Sequence, residues 1–443
     1  MFDMKNTLLV IKHLLYIPLL VASLFIGGCD LLSGERHSGF DESAKDEESE
    51  EITICSPIPE TEIESVILSE KEKRFVVKGN KFAFDMIDTL YKDNRSFAFS
   101  PLSVVFDLAM VANGVNGAAR EEIMEVIGEN ANSILDYNAY SRTLIEKMPA
   151  VDLGTTMKLS NAVLVDKRFE IRKSFRKSIE SDYYGALKAL SFSNPGHVAD
   201  IINDWIKKNT EGLIPRLVDN IDSGTLACLV NALYYKGKWG VSFEKDATRK
   251  DVFHSDDQNI DMDFMATSGR FSYTDNQRYS SVSLPLGKKG RYSFTIILPN
   301  ENLGVQDVID IIRNSGWEQI SGGMKSDLVQ VRIPKFRLDT HIDLIQYLNS
   351  VGINSIFSPC DFSEMLVGSH YLAISEALQK AVLIVNEDGI EAAAATYMGA
   401  KGIMPPDYKK PEYKYFFADH PFVFVLRENS SGAILFAGVF SGE

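Results

Sequence analysis

The stretch NEDGIEAAAATYMGAKGIMPP, Asn386 to Pro406, decides how this chain is read. It lies between two segments that read as core strands, KAVLIVNE before it and PFVFVL after it. A helix would bury a stripe at i, i+3, i+4 and i+7, and the bulky residues here are too few to make one. A loop fits more easily, yet the residues alternate. Ile390, Ala392, Ala394, Thr396, Met398 and Ala400 share one parity; Glu391, Ala393, Ala395, Tyr397, Gly399 and Lys401 share the other. The first set can lie on a core while the second carries both charges, which is the pattern of a half-buried strand. The same residues therefore suit an exposed loop and a strand, so the segment is built for two states. A short helical turn at EAAAAT, favoured by alanine, is compatible with the exposed form.

Outward from this segment the pattern is globular. PFVFVLRENSSGAILFAGVF predicts a hairpin, two apolar strands around the turn Glu428 to Gly432. LVQVRIPKF alternates, with Val329, Val331 and Ile333 on one side and Gln330 and Arg332 on the other. LACLVNALYYKGKW is nearly continuous in apolar residues, as expected of a strand covered on both faces, and this places Cys228 in a core. Nearer the amino end, Phe82, Ala83, Met86, Ile87 and Leu90 form a helical stripe. Ser100 followed by Pro101 predicts a helix from Pro101 to about Asn113, because serine accepts an orphan N–H and proline fits the first turn. ADIINDWIKKNTEGLI reads as another helix. Helices come early and strands late, so the class is α+β. No linker, charge block or repeat interrupts residues 69–443, which count as one large domain although 443 residues alone would suggest more.

The amino end speaks to compartment. Lys5 and Lys12 precede an apolar run, Leu14 to Ile26, that is short for a membrane span and has the length of a signal-peptide core. Ile26-Gly27-Gly28-Cys29 resembles a bacterial lipobox, which implies loss of residues 1–28 and acylation of Cys29. An ordinary signal peptide with an incidental cysteine is the alternative; either way the mature chain is exported. With the lipid, it is anchored at the bacterial cell envelope or surface and meets the membrane only there. Residues 29–68, including GFDESAKDEESEE, are too polar to offset the entropy of ordering and read as an acidic disordered tether.

Composition excludes several classes. A net charge of −15, a pI near 5.1 and the lack of a basic stripe argue against nucleic acid. The four cysteines match neither a zinc motif nor a disulfide framework, and none of the seven histidines is paired at metal spacing. Gly-x-Ser-x-Gly, His-Glu-x-x-His, Gly-x-x-x-x-Gly-Lys and Gly-x-Gly-x-x-Gly are all missing, so neither an enzyme nor a cofactor is expected.

Six collinear motifs resemble those of the serpins: FAFSPLS (Phe97–Ser103), INDWIKKNTEGLI (Ile202–Ile214), LVNALYYKGKW (Leu229–Trp239), IPKF (Ile333–Phe336), VNEDGIEAAAAT (Val385–Thr396) and ADHPFVFVL (Ala418–Leu426). The resemblance implies a single-domain serpin fold with a central β-sheet A, two further sheets, about eight to nine helices and an exposed reactive-centre loop at about 387–410. It implies a monomeric suicide inhibitor of serine or cysteine proteases, working without a cofactor. After cleavage the front of the loop, Glu387, Gly389, Ile390, Glu391, Ala392, Ala393, Ala394, Ala395 and Thr396, would enter the sheet as a new strand. Counting from Gly389 puts the scissile bond at Ile403-Met404. An apolar Ile403 implies a target with an apolar primary pocket, elastase-like or subtilisin-like. Ser100, Ser103 and Asn231, with Gln379 in the place of a histidine, match the cluster that locks the sheet; Trp239 and Glu387 match the point where the loop enters, and Asn161 fits a family strand. Ile390 replaces a usual threonine, and PPDYKKPEYKYFFADHPF is longer than typical. EEIMEVIGENANSILDYNAY is not basic, so no heparin-type helix is expected. A non-inhibitory member, serving as a surface binding or decoy-substrate lipoprotein, is the alternative. An inward charge or a proline within Ile390–Thr396 would favour it, and neither is there.

Overall fold

The computed structural model describes residues 57, 59–92, 94–221, 225, 227–368, 370–390 and 412–442. Residues 1–56, on which the expected signal peptide, Cys29 and most of the expected tether fall, lie outside these residues, as do Glu391, Ala392, Ala393, Ala394, Ala395, Thr396, Ile403 and Met404.

Helix α1 (Glu70–Leu90) starts at Ser69, whose side chain accepts from the Glu72 amide while the Glu72 carboxylate accepts from the Ser69 amide at 2.7 Å. This reciprocal cap sets the first turn. Phe82, Ala83, Met86 and Ile87 are buried, as their spacing predicts. After β1 (Phe97–Phe99) comes α2 (Pro101–Gly114), capped by Ser100 and opened by Pro101, as the sequence implies. Helices α3 (Ala118–Ile127) and α4 (Ile134–Lys147) pack on α1 and α2. The chain continues through β2 (Thr156–Asp166), α5 (Lys173–Asp182), β3 (Ala186–Leu190), α6 (Pro195–Asn209) and β4 (Ala227–Lys236). Next come β5 (Arg249–His254), β6 (Asn259–Asp275), β7 (Tyr279–Leu286), β8 (Tyr292–Pro299), α7 (Val305–Ser315) and α8 (Trp317–Gly322). Then follow β9 (Lys325–Pro334), β10 (Phe336–Asp343), α9 (Ile345–Ser350), β11 (Cys360–Asp361), β12 (Tyr371–Leu372), β13 (Leu378–Asn386) and β14 (Gly389–Ile390). The last strands are β15 (Lys414–Phe417), β16 (Phe422–Glu428) and β17 (Ile434–Phe440).

Among the described residues the largest sheet runs β1-β17-β16-β8-β7-β6-β9-β15, with β5 on β6. The central sheet implied by the resemblance is present as two three-stranded parts, β3-β2-β4 and β10-β13-β14. One large apolar cluster fills the space between the sheets and α1 to α4. A smaller one sits under α6, where Ile202, Trp205 and Ile206 meet Leu164, Val230 and Ala232. The fold class is as the sequence implies, mixed α+β.

Three expectations need correcting. The helix read through Ile214 stops at Asn209: Glu211 and Gly212 take positive φ, and Thr210 Oγ1 accepts the Ile214 amide at 3.0 Å. Cys228 is half-buried against the smaller cluster rather than enclosed; burial and the charge of Glu376 push its thiol up to about 12. The tether does not run to residue 68. The Ile63 amide donates to Ala150 O at 2.9 Å, the Val66 amide to Ser430 Oγ at 2.8 Å, and Val66 and Leu68 are buried. The apolar residues at the end of the acidic stretch have found a surface.

Candidate functional site

The segment after β13 turns at Glu387-Asp388 and comes back as β14, with Val385 opposite Ile390 and Asn386 opposite Gly389. The far edge of β14 meets the end of β4. Ile390 donates its amide to Gly237 O and accepts from the Gly237 amide, both at 2.9 Å. Among the described residues no ladder joins β4 to β13. One strand therefore fits between them at this end, two spacings of about 4.8 Å apart. Gly389 holds φ at +131°, and a side chain on it would overlap Gly237 O and come within 2.8 Å of Lys238 Cα. Both obstacles are backbone, so only glycine fits. Gly389→Ala is expected to lower stability by roughly 2–3 kcal/mol, read as a shift in urea midpoint with unchanged slope. A shift below a few tenths of that would show the hinge to be looser than described.

Polar groups gather at this entrance. The Trp239 indole donates to Asn386 O at 2.7 Å, and its ring packs edge-on against Phe243 and Phe294. The buried Glu387 carboxylate accepts from Thr248 Oγ1 at 2.7 Å and pairs with Lys335 Nζ at 3.0 Å. Burial pushes this carboxyl up, but the Thr248 hydroxyl, a backbone amide and the Lys335 ammonium together outweigh it and hold the pKa below the usual range. Asp388 pairs with Lys245 at 3.0 Å. Lys245, Thr248, Lys335, Glu387 and Asp388 line an open depression of about 740 Å³ together with Phe336 and Ile384. Because the folded pKa of Glu387 is depressed, its contribution is full above the unfolded pKa and is lost as pH falls through the folded value. Glu387→Gln is thus expected to cost about 1–3 kcal/mol at pH 7 and progressively less as the solution is acidified through the carboxylate range. A deficit that stayed constant to low pH would mean that the charge is not what Thr248 and Lys335 hold.

Further down, the residues expected to form one lock fall into two groups. The Gln379 side chain accepts from the Ser100 amide at 2.9 Å and donates to Ser100 O at 3.0 Å. Ser100 Oγ donates to Ser103 Oγ at 3.0 Å. Asn231 stands elsewhere: it lies opposite Asn161 in the β2–β4 register and donates to its side-chain oxygen, while Asn161 donates to Tyr183 O at 2.8 Å. No hydrogen bond links Asn231 to either serine or to Gln379 among the described residues, and Asn231 Oδ1 is buried without a partner. The physical reason is capacity: a glutamine amide reaches both backbone groups of Ser100 and is satisfied there, and the Asn231 amide is spent on Asn161. The Gln379–Ser100 bonds tie the start of α2 to β13, and none of these bonds among the described residues joins β4 to β13.

Thr248, Lys335 and Gly237 went unnoticed in the sequence. Lys335 carried a signal, a lone charge between apolar residues in IPKF; Thr248, in a plain polar turn, carried none.

The family model described as Serpin (serine protease inhibitor) matches residues 78–442. A serine protease inhibitor of Cyanea capillata is 32% identical over 356 residues, 78% of this chain and 91% of that protein. An uncharacterized serpin-like protein of Thermococcus kodakarensis is 29% identical over 438 residues, 98% of both chains. The native-state crystal structure of the thermophilic serpin Tengpin matches with a TM-score of 0.75 at 26% identity, covering 87% of this chain and 98% of its own.

Proposed function

The chain belongs to the serpin family, and on that premise we propose that it is a suicide-substrate inhibitor of serine or cysteine endopeptidases. The observation that supports this reading is the seam at the head of the central sheet. Gly389 and Ile390 already pair with β13 on one side and with Gly237 on the other, and below them β4 and β13 carry no mutual ladder among the described residues. A protease attacks the carbonyl carbon of Ile403, the amide bond to Met404 breaks, and the enzyme is left joined by an ester or thioester. The freed front of the loop then extends β14 into the seam. About twelve new strand residues at roughly 1 kcal/mol of net gain per hydrogen bond give on the order of 10 kcal/mol. A strand of that length carries the acylated enzyme roughly 40 Å. Inhibition is a race between this movement and hydrolysis of the acyl-enzyme. The apolar Ile403 points to elastase-like or subtilisin-like targets, and the anchor at Cys29 would hold the inhibitor at a bacterial envelope or surface.

Mixing the mature chain with elastase, subtilisin and trypsin tests this. The expected result is a denaturant-resistant adduct of summed mass with the first two. Cleavage without adduct would leave a decoy substrate, and an untouched loop would leave a binding protein; either result overturns inhibition.

A further inference from the structure

Whole-chain composition reads as acidic and without a basic stripe, yet one run has the opposite sign. DKRFEIRKSFRKSIE, Asp166 to Glu180, holds Lys167, Arg168, Arg172, Lys173, Arg176 and Lys177, with Glu170 as the one acid among residues 167–177. Lys167 and Arg168 are exposed in the turn after β2. Lys173, Arg176 and Lys177, at helical spacing, make an exposed stripe at the start of α5, while Phe175 and Ile179 on its other face are buried. Arg168 pairs with Asp166 at 2.7 Å and Arg176 with Glu180 at 3.2 Å; Lys167, Lys173 and Lys177 make no ion pair among the described residues. Cations in a first helical turn oppose the helix dipole, so the helix itself gives no reason for them to stand there.

Apolar side chains lie among these charges. Glu170–Arg172 runs antiparallel to Met365–Val367: the Val367 amide donates to Glu170 O at 2.8 Å, the Arg172 amide to Met365 O at 2.9 Å and Arg172 Nε to Leu366 O at 3.0 Å. Val367 is 44% exposed and Tyr371 67%, and the His370 ring between them meets Phe169 edge-on at 5.2 Å. This end of the molecule lies opposite the bait. Strand β2 runs from Thr156, across from Lys236 and beside the Gly237–Ile390 bonds, to Val165, across from Ala227 and about 30 Å further along the sheet.

We propose that this pole rests on an anionic lipid surface, with the lysines among the headgroups and Val367 and Tyr371 at the boundary of the acyl chains. A cationic and partly apolar face suits a bilayer with acidic headgroups, where each Lys or Arg near the surface raises binding about fivefold. The negative charge carried elsewhere on the chain opposes this weakly, because fields decay over about 8 Å at physiological salt. The anchor proposed at Cys29 permits the contact, since the chain from Cys29 to Pro57 extends at most about 100 Å. What the contact adds to an anchored inhibitor is orientation: the seam and the loop entrance then face away from the membrane, toward proteases arriving from solution.

Cosedimentation of the mature chain carrying Cys29→Ser, which cannot be acylated, measures this apart from the anchor. Vesicles of phosphatidylcholine with about one-third phosphatidylglycerol are expected to bind it at least tenfold more tightly than phosphatidylcholine alone at about 0.1 M salt. Lys173→Glu with Lys177→Glu is expected to weaken that binding at least tenfold, and Val367→Ser with Tyr371→Ser at least threefold. Lys250→Glu with Lys325→Glu, the same change of net charge at exposed positions on β5 and β9, is expected to leave it within about twofold. All six positions are exposed, and unchanged melting temperatures verify the folds. Equal binding to both vesicles, or equal losses from the two lysine pairs, would overturn the proposal. So would full binding by the serine pair together with equal affinity for soluble polyphosphate, which would make a free polyanion the partner. Failure of the anchor shows separately, as native chain that takes up no fatty acyl label.

Discussion

Cutting the loop near Ile403-Met404 is expected to raise the melting temperature of the chain by about 13 °C, taking roughly 10 kcal/mol of insertion and about 1.3 °C per kcal/mol for a domain of this size. The sign is the unusual part, since nicking a folded protein ordinarily relaxes it. Here the seam supplies the reason. Among the described residues β4 and β13 share no ladder, and β14 stands between them at one end, bonded to Gly237. An intact loop is held at both ends, by β13 before it and by β15 in the large sheet after it, and cannot lay its full length in the gap. Cleavage frees one end. Circular dichroism melts before and after a limiting dose of subtilisin, with the cut site read by mass, make the measurement. An unchanged or lowered melting temperature would mean that no insertion energy is stored.

Much of this arrangement was written in the sequence. The parity of Ile390 through Ala400 was visible as alternation, and Ile390, the one residue of that run among the described residues, is buried at 2% exposure. Ser100 and Pro101 marked a helix start through local bonds that need no tertiary partner. What could not be read is what depends on long-range approach. The division of the polar lock into Ser100–Gln379 and Asn161–Asn231 follows from the register of β2 against β4 and from how α2 lies over β13, neither of which has a local signature. The docking of Ile63 and Val66 was hidden for a related reason: an acidic neighbourhood dominates composition, while two or three apolar side chains decide where the chain touches down.

The burial of Ile390 also sets the sharpest contrast among variants. Residues two apart along a strand share a face, so Ala392, Ala394 and Thr396 would follow Ile390 onto the core, and Ala393 and Ala395 would face out. Ala394→Arg would carry an unpaired charge into an apolar interior, at about 3–5 kcal/mol if it stays ionised. Were about 3 kcal/mol of that felt at the rate-limiting step of insertion, the step would slow by roughly a hundredfold. Because hydrolysis of the acyl-enzyme runs in competition and touches nothing at residue 394, its rate would hold. The variant is then cut as readily as the parent, yet a partition of about ten to one in favour of adduct would become about one to ten. Ala393→Arg places the same charge in water, where it costs almost nothing, and should form adduct within about threefold of the parent. Adduct fraction by densitometry, and moles of chain consumed per mole of protease silenced, give both numbers. Equal behaviour of the two arginines would mean that the loop does not enter the sheet as a continuation of β14.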